Sequence, residues 1–142
     1  VAKQEFQGRR TMPPMRHFFE QERPDLIFTH WPIDTHRDHR ACSTLVYDAW
    51  LRTGRRVPLF YFECMTGQQS HKFFPTDYVD ITAVIELKHQ SCFVHESQRV
   101  VELYAGSHSK MEAFRGLECG CDYAEAFVRH AQSSDVTLSL YL

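Results

Sequence analysis

His30, Asp34, His36, Asp38 and His39 fall within one short run, Thr29-His30-Trp31-Pro32-Ile33-Asp34-Thr35-His36-Arg37-Asp38-His39-Arg40-Ala41. Imidazoles and carboxylates together are the usual ligand set of a borderline metal such as zinc. If a helix begins just before His36, then His36 and His39, at i and i+3, share one face of its first turn, and Asp38 points elsewhere. A ligating histidine commonly gives its second ring N–H to a carboxylate, so a neighbouring aspartate is also useful as an orienter. The same residues could be a merely solvated or capping helix start. Their clustering directly after an apolar strand favours the chemical reading. A catalytic zinc takes three protein ligands and a water, and one helical turn supplies one or two. The other histidines (His17, His71, His89, His95, His108 and His130) are dispersed. Any further ligands are therefore remote in sequence or absent.

These groups have to be positioned by the elements around them. Met12 to Glu22 reads as a helix, with Pro13 and Pro14 in its first turn and Met15, Phe18 and Phe19 on one face. Leu26-Ile27-Phe28 is a continuous apolar run, as expected of a strand buried on both faces of a parallel sheet. The next helix should start near a capping Asp34 or Thr35, bury Ala41, Leu45, Val46, Ala49 and Trp50, leave Ser43 outside, and end at Gly54. Val57 to Cys64 reads as a second strand and Met65 to Lys72 as a loop at its carboxyl end. Tyr78 to Thr82 is expected to open a helix reaching Gln98, with Ile81, Val84, Ile85 and Leu87 starting its buried face. Val100 to Phe114 is mainly helical, with Val100, Tyr104, Met111 and Phe114 on one side and a break or bend at Ala105-Gly106-Ser107. Asp122 to Phe127 is ambiguous, and Val136 to Leu142 alternates like an edge strand. Helices alternating with buried strands predict an α/β domain, in which ligands gather at the carboxyl ends of strands.

Three ordered stretches then carry a resemblance. Pro24-Asp25-Leu26-Ile27-Phe28-Thr29-His30, followed by Asp34 to Ala41, resembles the second metal motif of the LmbE-like/PIG-L deacetylases. Asp80-Ile81-Thr82, through Lys88 to His95-Glu96-Ser97-Gln98, resembles that family's "DIT…K…H-x-SQ" helix. Tyr123-Ala124-Glu125-Ala126-Phe127 resembles its "YAEAF" segment. The resemblance implies a Rossmann-like three-layer sandwich with a mostly parallel sheet, residues 1–142 being a single domain that covers roughly the C-terminal two-thirds of the family's. It implies zinc-dependent removal of acetate from an N-acetylglucosamine-type substrate, a small amino-sugar conjugate. His39 would be the zinc ligand. His36 and Asp38 would be catalytic neighbours, the carboxylate orienting the imidazole that protonates the leaving amine. His95 would be catalytic near the substrate carbonyl, stabilising the oxyanion. Asp34 would orient the loop or reach substrate. Whether His30 or Asp34 touches metal stays open.

The family's first motif, A-H-P-D-D-E, does not occur in these 142 residues, and the chain begins at Val1. The site is therefore expected to be incomplete in this chain, with apolar sheet edge exposed. One alternative is a non-catalytic sugar-binding or interaction module. Another is a different metallohydrolase using His30, His36 and His39 together. Loop residues Met65 to Pro75 would recognise the aglycone, with Phe73 and Phe74 packing as core or lid rather than against sugar.

Bulk properties agree with a globular domain. Hydrophobic residues make up 43% of the chain and charged residues 24%, with a net charge of −2. This balance argues against a broad nucleic-acid footprint. No apolar stretch reaches membrane-spanning length, and the polar start carries no signal peptide. The cysteines, five and irregularly spaced, fit a reduced cytoplasmic setting better than a disulfide scaffold. Cys119-Gly120-Cys121 is a C-x-C, read either as a metal or redox pair or as two small residues in a turn. The sequence does not set the oligomeric state, and homo-oligomerisation is left open.

Overall fold

Aromatic and β-branched residues flanked by turn formers make four short strands: β1 (Ile27–His30), β2 (Leu59–Phe62), β3 (Asp77–Asp80) and β4 (Ala124–Arg129). In the computed structural model, which describes residues 12–55, 57–65, 68–96 and 100–133, they form one sheet in the order β1-β2-β4-β3. β1 and β2 are parallel, with Ile27 opposite Leu59 and His30 opposite Phe62. β4 runs antiparallel to both β2 and β3. The α/β class is as expected, but two of these three pairings are antiparallel. The described sheet is mixed: β1, β2 and β3 run in one direction, and β4 enters between β2 and β3 in the opposite sense.

Helices α1 (Met12–Glu22) and α2 (Arg37–Arg52) cover one face of the sheet. Period-two alternation sends Ile27 of β1 and Leu59 and Tyr61 of β2 to that side, where they pack with Phe19, Val46, Ala49 and Trp50. Trp50 is fully buried, and its indole N–H donates to the Val57 carbonyl at 2.7 Å. Burying an aromatic side chain of this kind contributes about 1.5–3 kcal/mol. The other face carries Phe60, Val79 and Phe127, closed by Ile81 and by Ile85 of α3 (Ile85–Phe93). On that side α4 (Val100–Leu103) passes through a π-helical turn, Tyr104–His108, into α5 (Ser109–Cys119), which packs on β4. The bend falls where Ala105-Gly106-Ser107 predicted it. Between this layer and the sheet is a cavity of about 500 Å³. Phe28, Phe62 and Phe127 line its apolar part, and Lys88, Glu112 and Glu125 its polar part.

Several local expectations need correction. Phe28 is 45% exposed, so β1 is not buried on both faces. β1 is the terminal strand of the described sheet, and its cavity-facing side is only partly covered. α2 starts at Arg37 with His36 as its cap, not with Asp34 or Thr35. Val46, Ala49 and Trp50 of the expected stripe are buried, but Ser43 is buried and Ala41 exposed, the reverse of expectation at those two positions. Gly54, with φ of +80°, follows the helix end as expected. Asp77 to Asp80 is a strand; a 3-10 turn, Thr82–Val84, follows with the Thr82 N–H on Asp80 Oδ1, and the α-helix itself runs only from Ile85 to Phe93. Tyr78 and Val79 gain a full ladder with β4, so Asp80 ends a strand and caps the turn that follows rather than sitting inside a helix. Ile81 and Ile85 are buried, whereas Val84 and Leu87 are exposed. On the later helix Tyr104 is buried but Phe114 is exposed. The ambiguous Asp122-to-Phe127 stretch contributes β4. The expected strand at Val136 to Leu142 lies outside the described residues.

Candidate metal centre

His30 is the last residue of β1, where the strand's alternation turns it to the same side as Phe28. Its ring stacks on His39 at a centroid distance of 3.9 Å and an interplanar angle of 10°. Cys64, two residues past the end of β2, brings its sulfur to 3.6 Å from His30 Nδ1. Donor atoms of His30, His39 and Cys64 lie within 4.8 Å of one another. The parallel β1–β2 pair explains the meeting, because its two carboxyl ends finish side by side and α2 starts above them.

Asp34 holds this group together from behind. Its carboxylate is buried; Oδ1 accepts the His36 backbone N–H at 2.7 Å, and Oδ2 accepts the Ser70 hydroxyl at 3.2 Å. Oδ2 also lies 3.3 Å from His39 Nδ1. Gln69 Nε2 reaches the same His39 nitrogen at 3.0 Å. A proton on His39 Nδ1 directed at Asp34 leaves Nε2 free as a donor atom, the carboxylate–histidine arrangement of metal sites. Backbone pairing of Asp34 with Ser70 and the Arg40 guanidinium on the Asp34 carbonyl, at 2.6 Å, fix the loop itself.

Electrostatics prepare the donors unequally. Burial, reinforced by the neighbouring His39, lowers His30, with Asp34 opposing; the ring stays neutral and able to ligate. Burial raises the Asp34 carboxyl, but bonds from the His36 N–H and His39 outweigh it, and the net shift is downward. Burial, then the Asp34 and Glu63 carboxylates, push the Cys64 thiol up to about 11. A cation between thiol and imidazoles would reverse that last effect, since coordination deprotonates a thiol. Two imidazoles and one sulfur are a donor set suited to zinc, so the residues present fit the ion.

His39, the expected ligand, lies in one cluster with His30 and Cys64. Asp34 lies behind the histidines, buried, with both carboxylate oxygens in hydrogen-bonding reach of His36, His39 and Ser70. His36 is exposed and stacks on His39 at 4.5 Å. The expected His36–Asp38 pair takes a different form. His36 Nδ1 accepts the Asp38 backbone N–H at 3.2 Å, while the Asp38 carboxylate is 78% exposed beside Arg37. His95 is exposed just past α3, its backbone N–H on the Cys92 carbonyl. Among the described residues no hydrogen bond, ion pair or ring contact joins its side chain to the cluster. Cys64, Gln69 and Ser70 were not anticipated. Cys64 could have been found, because it closes the second strand's carboxyl end. Phe73 is buried edge-on against Trp31, as core, and Phe74 is exposed.

No protein-family model and no curated protein sequence matches the chain. Two solved structures are similar. GalB, the 4-carboxy-2-hydroxymuconate hydratase from Pseudomonas putida KT2440, aligns with a TM-score of 0.72 at 17% identity, over 96% of this chain and 65% of that one. The conserved protein TT1542 from Thermus thermophilus aligns with a TM-score of 0.68 at 25% identity, over 92% of this chain and 62% of that one. The chain therefore spans just under two thirds of the length of the structures it matches. These likenesses establish the α/β fold and agree at fold level with the LmbE-like/PIG-L resemblance seen in the sequence.

Proposed function

We propose that this chain carries part of the active site of a metal-dependent hydrolase, an N-deacetylase acting on an N-acetylglucosamine-type conjugate. The convergence of His30, His39 and Cys64, with Asp34 hydrogen-bonded behind them, carries the reading. These three residues would hold a zinc ion, which when bound would supply Lewis-acid polarisation of an amide carbonyl and an acidified water.

The chain's own groups supply the rest. Asp34 fixes the tautomer and plane of His39, while the Ser70 hydroxyl donates to Asp34 and holds it in place. His36 caps α2 through Nδ1, which leaves the proton of the neutral ring on Nε2. That N–H is placed to hydrogen-bond the leaving nitrogen, and the imidazolium form of His36 is assigned to protonating the departing amine. Asp38, exposed beside it, is assigned to holding the sugar or charging His36, and His95 to the substrate carbonyl. The cavity of about 500 Å³ shares Phe62 with the site, the Phe62 ring standing 4.6 Å from His30. Its size suits a small ligand.

A second reading is hydration of an unsaturated acid, favoured by the likeness to GalB, whose name describes a hydratase. Both readings use the same water and differ in the bond attacked. The test measures zinc content, acetate release from N-acetylglucosaminyl conjugates and hydration of unsaturated hydroxy acids. It compares the natural full-length protein with its His39→Ala and Cys64→Ser variants. The proposal expects about one zinc per chain, lost with acetate release in both variants. Unchanged zinc in both variants sinks the ligand assignment, and hydration without acetate release selects the second reading.

A further inference from the structure

Cys119 ends α5, and Cys121 begins the return of the chain to β4. Gly120 between them takes φ of +87°, in the left-handed region that glycine enters at little cost, and so turns the chain sharply. The turn brings the two sulfurs to 3.5 Å from each other. Its backbone is held in place by two bonds to the Gly116 carbonyl, from the Gly120 N–H at 2.8 Å and the Cys121 N–H at 3.0 Å. Gly116 permits this by lacking a side chain: a Cβ there would stand 2.6 Å from the carbonyl oxygens of Cys121 and Asp122. All five cysteines are free thiols, and the other three are engaged elsewhere: Cys42 with Thr29, Cys64 with His30 and Cys92 with the Tyr104 hydroxyl.

We propose that Cys119 and Cys121 form a reversible dithiol–disulfide couple that exchanges with low-molecular-weight disulfides such as glutathione disulfide. Residues two apart span at most roughly 7 Å, close to the Cα separation a disulfide accepts. Closure therefore asks for side-chain rotation within a turn already formed. Cys119 is exposed and enters first. Its thiolate attacks one sulfur of glutathione disulfide, giving a mixed disulfide and one glutathione thiolate, which takes up a proton. Cys121 then loses its proton and attacks Cys119 Sγ, expelling the second glutathione, which takes up that proton. Two protein thiols are oxidised and one glutathione disulfide is reduced to two thiols. The order of attack follows the environments. Burial, the Cys119 thiol and the Asp80 carboxylate push Cys121 up to about 11, so Cys121 waits as the thiol, its S–H directed at the Tyr123 carbonyl at 3.3 Å.

The test incubates the protein in glutathione buffers of increasing oxidation, quenches with acid, alkylates the remaining thiols and weighs the peptides. In the wild type, alkylation of Cys119 and Cys121 is lost together, the peptide bearing both loses two hydrogens, and reducing buffer restores both thiols. Cys121→Ser, which lacks the resolving thiol, accumulates a glutathione adduct on Cys119. Cys42, Cys64 and Cys92 serve as internal references and keep their alkylation longer. Persistence of both free thiols in the oxidising buffers overturns the proposal. So does a stable glutathione adduct on wild-type Cys119, because it shows that Cys121 cannot resolve it.

Discussion

Lys88 Nζ of α3 lies 2.7 Å from Glu125 Oε1 of β4, joining the two later stretches that resemble the LmbE-like/PIG-L motifs. The same ammonium stands 2.7 Å from Glu112 Oε1 of α5, so one side chain links three elements. Glu112 is almost wholly buried, and its second oxygen faces His89 Nε2 at 2.9 Å. The segment from Asp80 to His95 thus shows a structural use for its lysine, separate from the histidine cluster at the far end of β1.

Removing that lysine strands a buried carboxylate. Breaking a buried ion pair from one side costs about 3–5 kcal/mol. Lys88 is partly solvated and His89 still serves Glu112, so Lys88→Met is expected at the lower end, about 3 kcal/mol. Urea midpoints read this directly. A loss within about 0.5 kcal/mol, typical of an ordinary surface change, would show that the linkage contributes little.

Acid should weaken the same region. Burial raises the Glu112 carboxyl, but bonds from Lys88 and His89 outweigh it and hold it below its ordinary value of 4.5. Burial and Lys88 lower His108 below 6.5, with Glu112 and Glu125 opposing. Both groups bind protons more readily when unfolded. Their contribution is complete above those ordinary values and is lost as pH falls through the folded ones. Burial lowers Lys88, but Glu125 and Glu112 more than compensate and raise it above 10.5; its contribution is present below that value and is lost as pH rises through the folded one. Unfolding midpoints across a pH series should therefore peak between neutrality and pH 10.5 and decline on the acid side. The acid decline should be shallower in Glu112→Gln. An identical decline in wild type and variant would remove Glu112 from the explanation.

The sequence made the local chemistry of α2 legible and concealed its completion. His36 and His39 could be placed on one turn because three residues separate them and a strand precedes them. Cys64 was visible at the second strand's carboxyl end, but its meeting with His39 depends on the parallel register of Ile27 with Leu59, which no local pattern encodes. Asp77 to Asp80 misled for a related reason. Its capping aspartate reads as a helix start, while its partner strand lies far later in sequence, where Ala124 pairs with Asp80. Asp34 was visible as an orienter, but its burial and its bond to Ser70 are tertiary facts.

Asp34 gives a sharper test of the metal centre than a ligand deletion. Asparagine at this position keeps an oxygen for the His36 N–H, so the start of α2 survives, but it loses the charge behind His39. Replacing such a supporting group typically weakens metal affinity by about 10–100-fold. Competition against a chromophoric chelator should show that drop for Asp34→Asn and a larger one for His39→Ala. An unchanged affinity in Asp34→Asn would mean that the carboxylate serves the loop alone.

Gly116 couples α5 to β4, and its substitution tests how tightly. The atoms that an alanine Cβ would meet at 2.6 Å are the carbonyl oxygens of Cys121 and Asp122, which cannot rotate aside as a side chain can. Overpacking of this kind costs about 1–3 kcal/mol. Alanine in a helix recovers up to about 1 kcal/mol of backbone propensity relative to glycine. The contact should win, so Gly116→Ala is expected to lower the thermal midpoint. It should also slow closure of the Cys119–Cys121 pair, because the two N–H bonds to the Gly116 carbonyl that hold the turn are displaced with it. Gly120→Ala separates the two causes. Nothing lies within 4 Å of a Cβ at Gly120, so its cost comes from the left-handed backbone alone. A raised midpoint in Gly116→Ala would mean that the return of the chain to β4 can move away from α5, and with it the fixed geometry of the two thiols.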